Sequence, residues 1–303
     1  QSPSNPVMYN PDYLNSDLVD DITNILVGMD MDSEATNILD NILNTPGFIE
    51  TNTSVHLGSY SSLISNIPGI SAYYNDKFSL NTSVSPNIEK IRIAYDLSEF
   101  SSDVDNNPEI LADYLSEKLN VDVEIIFVNS EDEILSSLSE GTADIAIVDS
   151  ELAWFGWKQY DLALMAAVEV EDSRTYSDIL PWVKSNSSIS ISHLDNDPFT
   201  NSFDLLQGKT SCHSDSSDLE SVMLPISYLA RNNYVQLNES YDVESLVEII
   251  YSFFSINSSI PNYNDTYYGD SGALRCLSEG AGDVVFLEEN SVDKYCNNVI
   301  ISQ

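Results

Sequence analysis

Positive charge is what this chain has least of: 11 Lys and Arg stand against 49 Asp and Glu, a formal net charge of -38 over 303 residues. Binding to nucleic acid or to an anionic membrane surface rests on Lys and Arg, so neither partner is expected. Long apolar runs are missing as well. None approaches the ~20 residues that a membrane-spanning helix needs, so no membrane insertion is expected. Histidine is scarce, with three residues in all. No zinc motif, P-loop, nucleophile elbow or dinucleotide glycine pattern occurs, and the chain does not read as an enzyme.

What is present points to a globular protein. A hydrophobic fraction of 42% with three Trp is too high for disorder, and 303 residues suffice for two domains with separate cores. The acidity reads mainly as a solvated surface suited to salt, with cations or cationic surfaces as fitting partners. Asn-x-Ser/Thr sequons stand at Asn52, Asn81, Asn186, Asn238, Asn257 and Asn264. With Gln1 read as a processed N-terminus, they suggest a secreted or cell-surface glycoprotein carrying N-linked glycans.

In chain order, residues 1 to about 15 read as an extended arm rich in Pro, Asn and Ser. A helical pair follows. Leu18, Val19, Ile22, Ile25 and Leu26 form one stripe, starting after Ser16 and stopped by Gly28. Ala35, Ile38, Leu39, Ile42 and Leu43 form the other, capped by Ser33. Residues 46 to 87 show no sustained period and read as a linker or wrapping segment. From Ile88 the pattern becomes strand (Ile91–Tyr95), helix (Pro108–Leu119), strand (Val121–Val128), helix (Glu131–Leu138), strand (Ala143–Val148). This series predicts a parallel sheet with helices on its faces. Asp149 falls at a carboxyl strand end, where ligands bind in such sheets.

The stretch Leu206-Gln207-Gly208-Lys209-Thr210-Ser211-Cys212-His213-Ser214 reads as a strand over Lys209–His213 breaking into a polar turn. A helix follows, N-capped by Ser216 or Ser217. Such a turn aims amides and a helix start at one point, which favours an anion. Yet it carries Asp215, Asp218 and Glu220 and neither Arg nor Lys.

Gly208-Lys209-x-Ser211-Cys212-His213-Ser214, with Pro225 thirteen residues past the cysteine, resembles a transferrin lobe. So does Tyr268-Gly269-Asp270-Ser271-Gly272-Ala273-Leu274-Arg275-Cys276-Leu277 followed by Gly280-Ala281-Gly282-Asp283-Val284-Val285-Phe286. Ala143-Asp144 through Val148-Asp149 resembles the family segment ending in an iron-ligand aspartate. The wider likeness is to two-domain periplasmic solute-binding proteins.

The resemblance implies an α/β, two-domain periplasmic-binding-protein-like fold, with an N-terminal helical and extended extension. Residues 1–87 are the arm, helical pair and linker; 88–174 are domain 1; 175–303 are domain 2 with a C-terminal tail. It implies a Cys212–Cys276 disulfide, leaving Cys296 as a buried thiol or an intermolecular bridge. Of the family's iron ligands, Asp149 matches, one tyrosine position falls at Ser177 or Asp178 beside Tyr176, and the other is Asp270. The histidine segment has no counterpart after Leu287. The carbonate-binding hydroxyl matches Ser214, while the arginine position is Asp218. Asp in place of Arg changes the local charge by two units and repels carbonate, so ferric binding is expected to be lost.

What remains is an acidic cleft of Asp149, Asp178, Ser214, Asp215, Asp218 and Asp270. It is either wet, or it holds a hard cation such as calcium, with Asp149 and Asp270 as metal ligands. In the family the chain returns to complete the first domain; here residues 1 to 87, the tail Val299–Ile301 or an arm from a neighbouring copy must supply those strands. Two functions follow. One is a structural or self-assembling surface or filament subunit, with other copies of itself as partners. The other is a solute- or cation-binding protein using the acidic cleft.

Overall fold

The computed structural model describes residues 1–78, 90–96, 107–170, 173–194, 202–237, 242–243 and 245–296. The chain divides into two compact units. One comprises Pro3–Ser61 and Tyr74–Tyr176; the other comprises Gln1–Ser2, Ser62–Tyr73 and Ser177–Gln303. The polypeptide therefore passes between units more than once, and the separate segment expected over residues 1–87 is distributed over both.

Elements are numbered along the chain from the two-residue strand β1 (Ser2–Pro3). The first unit holds a six-stranded sheet, made of β2 (Pro6–Tyr9), β3 (Phe48–Glu50), β4 (Ile91–Asp96), β5 (Val123–Val128), β6 (Ile145–Ile147) and β7 (Ala163–Val168). Their order across the sheet is β3-β7-β2-β6-β4-β5. Strands β4, β5 and β6 run parallel, as alternating strands and helices require. The crossovers are α4 (Glu109–Leu119) and α5 (Glu131–Glu140). Pro108 opens α4, where a missing amide costs nothing. Glu131, Asp132 and Glu133 place negative charge at the positive start of α5, and Gly141 closes it at φ 69°.

The sheet is mixed, which corrects the parallel expectation. Strand β2 lies antiparallel between β6 and β7, pairing Val7 with both Ile147 and Ala166. Strand β3 pairs antiparallel with β7. The residues expected to form an extended arm thus occupy the middle of their own chain's sheet, with Val7 and Met8 buried. Three apolar residues are too few to show a period. Pro6 also looked like a loop signal, but it stands at the first position of the strand, where proline is tolerated. Of the three sources considered for the closing strands, the N-terminal residues supply them.

Helix α1 (Ser16–Val27) forms where expected, but Asn15 is its cap: the side chain accepts from the Leu18 amide at 3.0 Å. The second stripe is a π-helical turn, Ile38–Leu43, ended by Asn44 at φ 47°. The supposed linker contains β3, α2 (Thr53–Ile64) and α3 (Ile70–Lys77). In α2 the buried apolar residues are Leu57, Tyr60 and Ile64, with His56 and Ser61 buried beside them, and this polar share blurred the stripe. Residues 79–87 lie outside the described residues. Core packing joins Val7, Ile22, Leu26, Ile93, Leu115 and Ile145, tying the chain's first residues to the βαβ series.

The second unit has a three-stranded sheet ordered β10-β11-β9, from β9 (Ile179–Val183), β10 (Ser211–Cys212) and β11 (Val284–Glu288). Strand β8 (Tyr176–Ser177) precedes it. β11 runs parallel to β10 and antiparallel to β9. The strand expected over Lys209–His213 shortens to two residues, because the His213 amide turns to the Ser259 carbonyl at 3.0 Å. Helices α8 (Leu224–Arg231), α9 (Leu246–Phe253) and α10 (Gly269–Glu279) pack around it. Cys212 and Cys276 are bonded, S–S 2.06 Å, in a cluster with Ala273, Val285 and Leu287. The Cys296 side chain and the tail Val299–Ile301 lie outside the described residues.

Candidate functional site

In the second unit the segment after β10 leads to a π-helical turn, Leu219–Met223, that continues into α8 with Pro225 in its first turn. The cap is Asp218, not Ser216 or Ser217. Its Oδ1 accepts the Ser221 amide at 2.6 Å. Asp215 Oδ1 accepts the Ser217 amide at 2.7 Å and the Ser217 hydroxyl at 3.1 Å. The Ser214 hydroxyl donates to Asp270 Oδ1 at 2.7 Å, and the Ser214 amide donates to Ser221 Oγ at 3.0 Å. The amides and hydroxyl that an incoming anion would use are taken by the chain's own oxygens. A carboxylate is the natural guest of a helix start, and here it is built in.

Carboxylates accumulate around this point. Burial pushes the Asp218 carboxyl up; the Ser221 bonds oppose that, while Asp270 and Asp215 add to it. Glu220 is pushed up to about 8, first by burial and then by Glu288, Asp218 and Asp270. Two like charges close together in a desolvated place favour one shared proton. The sequence shows Glu220 as one acid of this turn, but not that it keeps a proton, and it gives no sign of Glu288 as its neighbour.

Beneath the turn lies a Ser–His pair that resembles a catalytic dyad. His213 Nε2 is 2.8 Å from Ser211 Oγ, and His213 Nδ1 is 2.7 Å from the Ser221 carbonyl. A carbonyl only accepts, so Nδ1 carries the proton and Nε2 accepts from Ser211. Burial pushes the imidazole down to about 4, which keeps it neutral. Ser211 and His213 are 0% and 1% exposed, so no substrate reaches them. The pair is a satisfied core network.

Asp149 belongs to the first unit, where it caps α6 (Ser150–Tyr160) by accepting the Leu152 amide at 2.7 Å. Burial, with Asp149 next, pushes Glu131 up to about 7. Glu151 pairs with Lys77 at 2.7 Å. Asp178 stands beside β9 in the second unit. Its amide donates to Glu289 Oε1 at 3.3 Å, and its carbonyl accepts the Glu289 amide at 2.9 Å. Thus Ser214, Asp215, Asp218 and Asp270 are brought together, and Asp149 lies in the other unit. Among the described residues, no three His, Cys, Asp or Glu side chains gather as a metal-ligand group. Asn52, Asn186, Asn257 and Asn264 are exposed, while Asn81 and Asn238 lie outside the described residues.

These groups set a pH dependence. Glu220 and Glu131 titrate at about 8 and 7 in the fold against an ordinary 4.5, so the folded chain holds protons that the unfolded chain has lost. That stabilisation is complete below 4.5 and disappears as pH rises through 7 to 8. His213, at about 4 against 6.5, acts oppositely: stability falls as pH drops from 6.5 towards 4. Above 6.5 only the carboxyl effect operates. The Tm is therefore expected to fall by a few °C between about pH 6.5 and 8.5. Glu220→Gln should flatten this slope in a calorimetric series. An unchanged slope would show that the proton resides elsewhere.

Comparison with known proteins places these features. The family described as ABC transporter, phosphonate, periplasmic substrate-binding protein matches residues 93–300, more than half of the chain. Transferrin from Manduca sexta is 26% identical over 185 residues, 56% of this chain and 25% of its own. Serotransferrin from Equus caballus is 26% identical over 187 residues, 53% of this chain and 24% of its own. Melanotransferrin from Oryctolagus cuniculus is 25% identical over 202 residues, 58% of this chain and 26% of its own. The chain spans about a quarter of the length of these curated relatives. The match from β4 to the end of the second unit, with the transferrin likeness over much the same stretch, makes this chain a member of the phosphonate-type periplasmic substrate-binding family, in the superfamily that includes the transferrins.

Proposed function

We propose that the chain is an extracytoplasmic, transferrin-like solute-binding lobe that has exchanged carbonate-assisted ferric binding for recognition of positive charge. One observation carries the reading: the Asp218 carboxylate accepts the Ser221 amide at 2.6 Å, at the helix start where the resemblance calls for an arginine and a bound anion. A carbonate there would meet Asp218, Asp215 and Asp270 instead of a guanidinium. The proton that Glu220 retains to about 8 is what a carboxylate group does when it lacks a counter-cation. A hard cation such as calcium, or an organic ammonium, supplies that charge. The disulfide and the family both suit an oxidising space outside the cytoplasm. The structural-subunit reading leaned on an arm awaiting a neighbouring copy, and with β2 inside its own sheet that support falls away.

Chelator-treated protein titrated with ferric nitrilotriacetate and bicarbonate should develop no visible phenolate-to-iron band and no rise in Tm. Calcium, or a polyamine in a parallel series, should raise the Tm progressively, corresponding to about 2.7 kcal/mol of stabilisation at 100-fold excess over Kd. Asp218→Asn combined with Asp270→Asn should abolish that response. Ferric uptake that requires bicarbonate would overturn the reading. Indifference to both cations would overturn its positive half.

A further inference from the structure

The loop that leads into α10 carries an exposed aromatic ring beside a sequon. Tyr263 is 77% exposed on a chain of net charge -38. Its ring meets Tyr268 edge-on, with centroids 5.3 Å apart at 69°. The next residue begins the sequon Asn264-Asp265-Thr266, all three exposed. Asp265 folds the loop: its Oδ2 accepts the Asn262 amide at 2.8 Å, and its own amide donates to the Asn262 carbonyl at 2.8 Å. This turn presents Asn264 outward next to the tyrosine pair.

The other described sequons differ. Asn52 uses its side-chain oxygen to accept the Val55 amide in the first turn of α2, at 3.1 Å. In the Asn257 sequon, Ser259 is held through its amide and carbonyl to Ser211 and His213. Asn186 precedes α7 (Ser188–Leu194), where Ser187 Oγ accepts the Ser190 amide at 3.1 Å. Of these four, Asn264 is the one whose immediate neighbour is an exposed aromatic residue.

We propose that Asn264 carries an N-linked glycan whose first sugar lies against the Tyr263–Tyr268 pair. The inference rests on the extracytoplasmic reading above. In the transfer, Asn264 Nδ2 loses a proton to a base of the transferase and forms a bond to the anomeric carbon of an N-acetylglucosamine-headed oligosaccharide. The bond from that carbon to a lipid pyrophosphate breaks, and the lipid pyrophosphate leaves with the electron pair. No oxidation occurs. One face of the pyranose is a row of C–H groups, weakly positive at the hydrogens, and an aromatic face is negative, so the two attract while both lose water. The sugar covers apolar surface that would otherwise stand bare on an acidic protein.

The test is secretion of the full chain from a eukaryotic host, followed by glycopeptide mass spectrometry. Asn264 should be occupied, and Thr266→Ala should abolish that occupancy without changing Asn52. Trimming to a single sugar should leave the Tm unchanged. Complete enzymatic removal should lower it by about 2–4 °C, and by less than half as much in Tyr263→Ser. A bare Asn264 alongside another occupied sequon would overturn the proposal alone, as would a Tm indifferent to complete removal. A secreted chain bare at every sequon would overturn both the proposal and the glycoprotein reading.

Discussion

Asp144→Ala should destabilise the six-stranded-sheet unit by about 3–5 kcal/mol, the cost of leaving a buried cation without its partner. The Asp144 side chain is fully buried, against 15% exposure for Arg92. It receives three N–H groups from that residue: the amide at 2.8 Å to Oδ2, Nε at 3.0 Å to Oδ2 and a terminal nitrogen at 3.0 Å to Oδ1. The Asp144 amide returns a bond to the Arg92 carbonyl at 2.8 Å. Two parallel strands are thereby clamped by a fork of charged hydrogen bonds. Alanine leaves the guanidinium and an amide facing a dry gap. Partial exposure lets the arginine find some water, so the lower end of the range is expected. Arg92→Met with Asp144→Leu should cost less than Asp144→Ala alone, since no unpaired charge remains. Denaturant unfolding followed by tryptophan fluorescence measures both, through Trp154 in the same unit. A single-variant loss under 1 kcal/mol would mean that water already satisfies the pair.

Removal of the disulfide by Cys212→Ser with Cys276→Ser should cost the second unit about 4 kcal/mol. The bond closes a loop of sequence separation 64, and loop-closure entropy at that length gives about that figure. Reduction of the native protein should produce the same loss, and the first unit's transition should not move. Gly282 offers an independent check. A Cβ built there would stand 2.3 Å from Cys212 Sγ and 3.3 Å from Cys276 Sγ. Gly282→Ala should therefore be severely destabilising with the bond intact and less so after the sulfurs are replaced by smaller oxygens. Equal penalties in the two backgrounds would show that backbone, not sulfur, fills that space.

Both predictions rest on residues that the sequence made visible to different degrees. Asp144 lay inside the strand pattern Ala143–Val148, with nothing in the sequence to name its partner. Only strand pairing with Arg92, 52 residues earlier, turns it into a buried clamp. Cys212 and Cys276 stood out at once, because Gly-Lys-x-Ser-Cys-His and Gly-Ala-Leu-Arg-Cys are specific strings. For the candidate site, Asp218 was identified as the residue standing in an arginine's place. Its bond to Ser221 was not, because in the polar turn Ser216 and Ser217 read as the caps and Asp218 only as an acid. Glu131 and Glu220 passed as ordinary acids in an acidic chain. Their raised pKa values depend on burial beside Asp149 and Glu288, and no linear pattern records that.

By itself the sequence determined the local elements that repeat often enough to show a period. These are the βαβαβ series from Ile91 to Ile147, the stripe of α1 with its Gly28 stop, and the family strings around both cysteines. Their information is held in neighbouring residues. Tertiary structure alone decided where Pro6–Tyr9 goes, which carboxylates keep a proton, and that the helix start near Ser221 is filled from within. A strand of four residues has no period of its own, so its place is chosen by the sheet that needs it. A charged group's state is likewise set by the water and charge it meets after the chain has closed.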